Sequence, residues 1–318
     1  MAKNAGKSPN SPEKCDVFIV GLGFAGLSAA IYSARYNFRT IAAGEIFGGL
    51  IIDTHLVENY PGFTAISGLE LMEHFKEHVK FYENIEVVEE KVESIEKKWK
   101  KFFAVLKDGR TFESKAVIIA TGTKRRLLNV PGEKELSNKG VSYCATCDAF
   151  LFKNKEVVVV GSGDSAAKEA LLLSEHAKKV TVLVRKDKLK AEPINLSRVE
   201  KKKDKIKVKF NAEIAEIIGK GKVEAIKLKD GSTMKVDGVF IEIGHLPQTE
   251  LAQKLGCALD EHGEIKVDRY ARTNVPGVFA AGDCVDTHWK QGIVSAAEGA
   301  HAANSAYNFV SNEDIEPK

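Results

Sequence analysis

Asp16-Val17-Phe18-Ile19-Val20-Gly21-Leu22-Gly23-Phe24-Ala25-Gly26 is an apolar run that ends in three spaced glycines. Such a run, rich in β-branched residues, reads as a strand buried on both faces. The segment from Leu27 to Tyr36 then reads as a helix. The pattern returns once. Glu156 to Val160 is a second buried strand, followed by Gly161-Ser162-Gly163-Asp164-Ser165-Ala166 and a helical stretch from Ala167 to Glu175. In such a loop the first glycine makes the tight turn and the second lets backbone approach a pyrophosphate. The third position, Gly26 or Ala166, packs helix on strand. The helix N-terminus offers free N–H groups and a positive dipole to phosphate. One G-x-G-x-x-G in isolation is a weak signal. Two copies, each after a strand and before a helix, make two dinucleotide cradles.

The duplication goes further. Leu106-Lys107-Asp108-Gly109 reads as a hairpin turn leading to the apolar strand Ala116–Ile119 and then Ala120-Thr121-Gly122. The second copy has Leu228-Lys229-Asp230-Gly231, a strand from Gly238 to Ile243, and Gly244. Gly109 to Gly231 and Gly122 to Gly244 are both offsets of 122 residues. The order predicts an α/β fold of two Rossmann-like three-layer dinucleotide-binding domains, the second inserted into the first. Residues 1–14 are expected to be a flexible tail, 15–122 with 246–318 the first domain, and 123–245 the second. Two short crossings, near Thr123 and Leu246, would let one domain rotate as a body on the other.

The 318 residues suit about two domains. The net charge of +3 is small and mixed in sign, which gives no reason to expect nucleic acid as a partner. No apolar run approaches the roughly 18 residues that span a bilayer. The first 14 residues hold no apolar segment. The expected compartment is therefore the reducing cytoplasm, where a C-x-x-C is redox-active or metal-binding more often than a structural staple.

The two cradles differ where the ribose is read. Glu45 lies 24 residues after Gly21, and a carboxylate there accepts hydrogen bonds from ribose hydroxyls and repels a 2′-phosphate. That suits FAD, with NAD as the alternative. Arg185 lies 24 residues after Gly161, with Lys186 beside it and Lys190 further on. Positive charge there suits the 2′-phosphate of NADP(H). The competing reading is a solvated lysine-rich surface with NAD(H) or no nicotinamide. Near the C-terminus, Ala280-Ala281-Gly282-Asp283 places a carboxylate after a strand-terminal glycine, where it can hold a ribityl hydroxyl. Gln291, at the start of the last helical stretch (Ile293–Asn308), would face the flavin ring.

Between the cradles stands Cys144-Ala145-Thr146-Cys147-Asp148. A helical turn starting here lowers thiol pKa and favours the thiolate that performs disulfide exchange. Asp148 suits the role of general acid and base. Two plain readings compete: half of a zinc site, and two inert buried cysteines. A structural zinc needs four ligands, and Cys15, Cys257 and Cys284 are isolated, so no metal is expected. Those three cysteines read as inert. Trp99 reads as a hairpin aromatic, Trp289 as packing or a flavin cover, His245 as part of a crossing, and Lys97–Lys101 as a solvated strand edge.

The Cys144–Asp148 motif resembles the active site of low-molecular-weight, bacterial and archaeal-type thioredoxin reductases. So do Gly48-Gly49, Val57-Glu58-Asn59-Tyr60-Pro61-Gly62, Ala120-Thr121-Gly122, Thr273-Asn274-Val275-Pro276-Gly277, Ala280-Ala281-Gly282-Asp283 and Lys290-Gln291. The likeness runs from about Cys15 to the last helix. It implies a homodimer of class II pyridine nucleotide-disulfide oxidoreductase architecture, with an FAD domain and an NADPH domain that carries the dithiol. It implies that electrons pass from NADPH through FAD and the dithiol to thioredoxin. Cys147 would face the flavin, Cys144 would attack thioredoxin and Asp148 would be the acid. Asn59, Thr121, Gly122, Asp283 and Gln291 fall on flavin-contacting positions of that pattern. Two departures stand out. Leu50 follows Gly48-Gly49 where the family often has Gln, and Val184-Arg185-Lys186 with Lys190 replaces an arginine-rich signature. The donor alternatives are NADH, reduced ferredoxin or a deazaflavin. A dithiol oxidase and a non-catalytic redox sensor are the other readings.

Overall fold

The structure, a computed structural model, describes residues 11–311, and the chain divides into two units. The first comprises the chain up to Thr123 and again from Pro247; the second is Lys124–Leu246. The expected tail ends sooner than residue 14. Glu13 and Lys14 form a parallel bridge to Phe112 and Glu113, and the Arg39 guanidinium pairs with Glu13. An open sheet edge offers unpaired backbone groups, and this short strand satisfies them. The rest of that tail, residues 1–10, and the last part of the C-terminal segment, residues 312–318, lie outside the described residues.

Each unit is built on a five-stranded parallel sheet, met in chain order as follows. In the first unit β1 (Val17–Val20) leads through α1 (Phe24–Arg35) to β2 (Thr40–Ala43), then β3 (Ile85–Val88) and β4 (Ala116–Ile119). In the second, β5 (Val141–Ser142) and the short α2 (Ala145–Asp148) precede β6 (Glu156–Val160). There follow α3 (Asp164–His176), β7 (Lys179–Val184), β8 (Ile206–Phe210) and β9 (Gly238–Ile241). The chain then returns to the first unit for β10 (Val278–Ala280) and α4 (Gly292–Ser311). The spatial orders are β10-β4-β1-β2-β3 and β5-β9-β6-β7-β8. These are the same order with the same partners, so the repeat in the sequence is a repeat of topology. In both, the chain reverses direction across the sheet beside the glycine-strand, and the ligand crevice of such sheets lies at the carboxyl ends of those strands.

Strand periodicity explains the layers. Val17 and Ile19 join a core with Leu27 and Ile31 of α1, while Phe18 and Val20 join another with Phe102 and Phe112. Successive side chains point to opposite faces, so one fully apolar strand serves two cores. Val157 and Val159 face Ala166 and Leu173 of α3, whereas Val158 and Val160 face Ile214 and Ile226. The second layer in each unit is a three-stranded antiparallel sheet: 92–98, 101–106 and 111–114 in the first, 214–218, 225–228 and 233–235 in the second. Their hairpins turn at Gly109 (φ 89°) and Gly231 (φ 88°), left-handed positions that glycine occupies without strain. The lysine run at 97–101 is the tip and edge of the first of these sheets, where Trp99 is 98% exposed and Lys97 Nζ donates to the Pro276 carbonyl (2.7 Å).

Both motif helices begin earlier than the sequence pattern suggests, at Phe24 and Asp164, because Gly23 and Gly163 already serve as their N-caps. α4 crosses α1 closely. A Cβ at Gly299 would overlap the Ala25 carbonyl oxygen, and one at Gly26 would overlap the Gly21 carbonyl oxygen. Gly299→Ala must therefore push α4 off α1, and a loss of about 2–3 kcal/mol is expected from the overpacking. Denaturant unfolding of the variant beside the wild type measures it.

Candidate active site

The first cradle is closed by backbone hydrogen bonds. Gly21 N–H donates to the Ala43 carbonyl (2.8 Å) and Ala120 N–H to Val20 (2.8 Å), so the loop hangs from the ends of β1, β2 and β4. Gly48 N–H donates to the Leu22 carbonyl (2.7 Å), which folds the segment after β2 back over the glycine loop. Gly48 and Gly49 are both left-handed, at φ 90° and 65°. Glu45 is exposed two residues beyond the end of β2, and Leu50 is partly exposed in the following turn. The second cradle repeats this. Gly161 N–H donates to Leu183 (3.1 Å), Glu242 N–H to Val160 (2.8 Å), and Lys190 N–H to Ser162 (2.6 Å). Arg185 and Lys186 therefore leave the end of β7 beside their glycine loop, with Lys190 returned to it, and all three side chains are exposed.

Both cradles fit a phosphate. Neither α1 nor α3 has a side chain capping its first turn, whereas Ser67, ahead of the helix Gly68–Lys80, accepts the Glu70 N–H (3.1 Å). Uncapped N-termini keep their donors for an anion. Open space adjoins the backbone: a Cβ at Gly122 (φ 62°) or Gly163 would meet nothing within 4 Å. Ser165 is exposed and Ala166 buried, the latter taking the packing position of Gly26. Phe24 and Ala25 are both buried, and the Phe24 ring stacks on Tyr60 at 5.2 Å between centroids. Asn59 Nδ2 donates to Gln291 Oε1 (3.0 Å), which joins two residues expected near a flavin. Thr121 and Gly122 are held by Gln248, whose backbone N–H donates to Gly122 O (2.9 Å) and whose side chain donates to Thr121 O (3.0 Å).

Two of the expected binding residues act differently. Asp164 accepts from Glu192 N–H (2.9 Å) and Asn195 Nδ2 (2.8 Å) and pairs with Lys168 (2.9 Å). Burial opposes its ionisation, but these partners outweigh it and hold the carboxyl below its usual range. Its charge is committed to the following helix rather than offered to a ligand. Lys290 Nζ donates to the Asp283 (2.8 Å) and Val285 (2.9 Å) carbonyls and pairs with Glu264 (2.8 Å). It fixes the Gly282–Asp283 loop from behind. That loop is held twice more from α4: Ser295 Oγ donates to Asp283 Oδ1 (3.2 Å), and Gly282 N–H donates to Glu298 Oε2 (2.8 Å).

Cys144 and Cys147 form a disulfide with Cα atoms 5.4 Å apart. Cys144 is the N-cap of α2, and its Sγ accepts the Cys147 N–H (3.1 Å). Cys144 is buried and Cys147 exposed, and Asp148 N–H donates to the Cys144 carbonyl (3.2 Å). The other cysteines are buried and free; burial pushes the Cys15 thiol up to about 12 and raises Cys257 and Cys284 too. Such thiols stay protonated and unreactive.

Two cradles in one repeated topology, with a disulfide of C-x-x-C spacing ahead of the second, are the plan of one enzyme family. Residues 15–303 match the pyridine nucleotide-disulphide oxidoreductase family. The chain belongs to that family. It is 41% identical over 302 residues to a thioredoxin reductase of Listeria innocua, covering 93% of each chain. It resembles the crystal structure of the T. acidophilum thioredoxin reductase with a TM-score of 0.88 at 41% identity, over 93% of this chain and 98% of that one. It is also 40% identical over 304 residues to a Bacillus subtilis protein named NADH dehydrogenase, covering 94% of this chain and 59% of that one. Membership makes this a disulfide oxidoreductase that works with a flavin and a pyridine nucleotide. No helix among the described residues is long and apolar enough to cross a membrane.

Sequence reasoning missed Glu298, Ser295, Gln248 and Glu169. For two of them a signal existed: Glu298 and Glu169 are carboxylates set in stripes of small buried residues, beside Ser295, Gly299 and Ala302 and beside Ala166, Ala170 and Leu173. Burial raises the Glu298 pKa, against the opposing hydrogen bonds from Thr287 and Gly282. A raised folded-state pKa means that the group's contribution to stability is present at low pH and fades as pH rises through that value. Glu298→Gln keeps an acceptor for Gly282 without the charge. It should melt with the wild type near pH ~4 and above it near pH ~7, as followed by thermal unfolding across that range.

Proposed function

We propose that the protein reduces the disulfide of thioredoxin, or of a similar small disulfide protein, with electrons from NADPH. We place it in the cytoplasm as a homodimer whose first unit takes FAD and whose second takes NADPH. The observation that carries the reading is the Cys144–Cys147 disulfide in a unit whose nucleotide loop is flanked by exposed Arg185, Lys186 and Lys190. When bound, FAD would supply the two-electron relay between a nicotinamide and this disulfide.

The chain's own residues divide the rest of the work. Gly21, Gly23 and Gly26 admit one pyrophosphate to the N-terminus of α1, and Glu45 accepts from its ribose. Gly161, Gly163 and Ala166 do the same at α3, where Arg185, Lys186 and Lys190 neutralise a 2′-phosphate. Asp283, fixed by Ser295, accepts from a ribityl hydroxyl. Reduction of Cys144–Cys147 takes up two electrons and two protons and yields two thiols. One thiolate then attacks a sulfur of the thioredoxin disulfide and expels the other. The second cysteine attacks the mixed disulfide, which re-forms Cys144–Cys147 and releases thioredoxin as a dithiol. Asp148, on the turn that carries both sulfurs, gives and takes the proton. The sulfur open to solvent is that of Cys147, so burial does not favour Cys144 as the attacking thiol in this arrangement.

A second reading keeps the flavin and dithiol and makes NADH the donor. It is favoured by Lys186 and Lys190, which lack the bidentate fork of arginine. Anaerobic titration separates the two. NADPH should bleach the flavin at concentrations at least ~10-fold below NADH, and Arg185→Ala with Lys186→Ala should remove most of that gap. Equal bleaching by both nucleotides in the wild type would exclude NADPH specificity. Cys147→Ser should keep bleaching by NADPH and lose thioredoxin reduction; a variant that still reduced thioredoxin at the wild-type rate would end the mechanism.

A further inference from the structure

Glu169 lies on α3, whose first turn is the nucleotide loop, among the buried residues Ala166, Ala170 and Leu173. Its Oε1 accepts the N–H of Ala145 (2.8 Å), the first residue of the dithiol helix, and its Oε2 is closed to solvent. The Ala145 N–H belongs to the first turn of α2, where donors have no helical partner. The neighbouring donors of that turn bond differently: Cys144 N–H donates to Ser142 Oγ (3.1 Å) and Cys147 N–H to Cys144 Sγ (3.1 Å). The dithiol turn is thus held at three points, and only the one at Ala145 is ionic. A carboxylate out of water is costly unless it is bonded, so this contact is unlike a surface pair. The other charged groups of this region are Asp148 on α2 and Lys168 on α3, with Glu133 behind Tyr143. Lys168 is paired with Asp164 (2.9 Å), and Glu133 accepts the Tyr143 hydroxyl (2.9 Å). The nearest uncommitted charge is therefore negative.

We propose that Glu169 is a positioning residue for the Cys144–Cys147 pair. It fixes the first turn of the dithiol helix to the nucleotide-loop helix, and its charge weights the pair toward the disulfide. The inference rests on the redox role given to the pair above. Reducing the disulfide yields two thiols, one of which ionises to a thiolate. A fixed negative charge nearby disfavours that thiolate, and so disfavours the reduced form.

The test uses the FAD-loaded wild type, Glu169→Gln and Glu169→Ala, equilibrated without oxygen near pH ~8.5, where a thiol of ordinary pKa is about half ionised. Mixtures of reduced and oxidised dithiothreitol set the poise. Each exchange converts one protein disulfide and one dithiothreitol dithiol into one protein dithiol and one cyclic dithiothreitol disulfide. Samples are acid-quenched and alkylated, and the Cys144–Cys147 peptide is counted by mass spectrometry. The glutamine keeps an acceptor for Ala145 without the charge. It should raise the dithiol-to-disulfide ratio about tenfold, a shift of about 30 mV, with thermal unfolding unchanged. The alanine should shift the ratio the same way and also lower the melting temperature. If it does not fold, the glutamine variant decides. A glutamine ratio equal to the wild type, or moved toward the disulfide, overturns the proposal. No nicotinamide or thioredoxin enters the measurement. A wild type that exchanges with dithiothreitol yet never turns over NADPH would refute the proposed function and leave this inference standing.

Discussion

Each unit depends on how closely its first helix approaches the strand before it. At Gly26 there is no room for a side chain, because a Cβ would overlap the Gly21 carbonyl oxygen. In the second unit the Ala166 methyl is tolerated at that place and packs into the core with Val157 and Val159. Once helix and strand are that close, the helix N-terminus points across the carboxyl ends of the strands. Its first turn then has no side chain to cap it, and the donors there face the ligand crevice. The loop after the second strand is drawn in by one backbone hydrogen bond, to Leu22 in one unit and to Ser162 in the other. That bond brings Glu45 or Arg185 to the place where the ribose is read.

Charged residues around the cradles work in two layers. Glu45, Arg185 and Lys186 are exposed beside the glycine loops, free to meet a ligand. Asp164, Lys290, Glu298 and Glu169 are turned into the protein, each spending its hydrogen bonds on a loop or helix that carries a binding or reacting group. The distinction matters for the chemistry. An inward carboxylate fixes backbone at short range and brings a charge that water does not screen. Such groups set geometry and equilibrium without touching a reactant.

The strand pattern was readable because it obeys a local rule. Val17–Val20 and Val157–Val160 are apolar at every position, and only a strand covered on both faces requires that. The glycine spacing was readable because no other residue suits the turn and the close approach. Asp164 and Lys290 were misread because a sequence shows the charge of a side chain but not its direction. Both sit beside true cradle residues, and only the positions of Asn195, Glu192 and Glu264 show that they face away.

The chain by itself determined the two repeated units, the insertion of one in the other, the cradles and the dithiol. Each of these rests on residues adjacent in sequence, whose sterics and periodicity act locally. Only the tertiary structure decided which carboxylates support the site. Glu169 reaches Ala145 across 24 residues and Glu298 reaches Gly282 across 16. A hydrogen bond of that kind exists only after two separately formed elements have packed, and nothing in either segment alone specifies its partner.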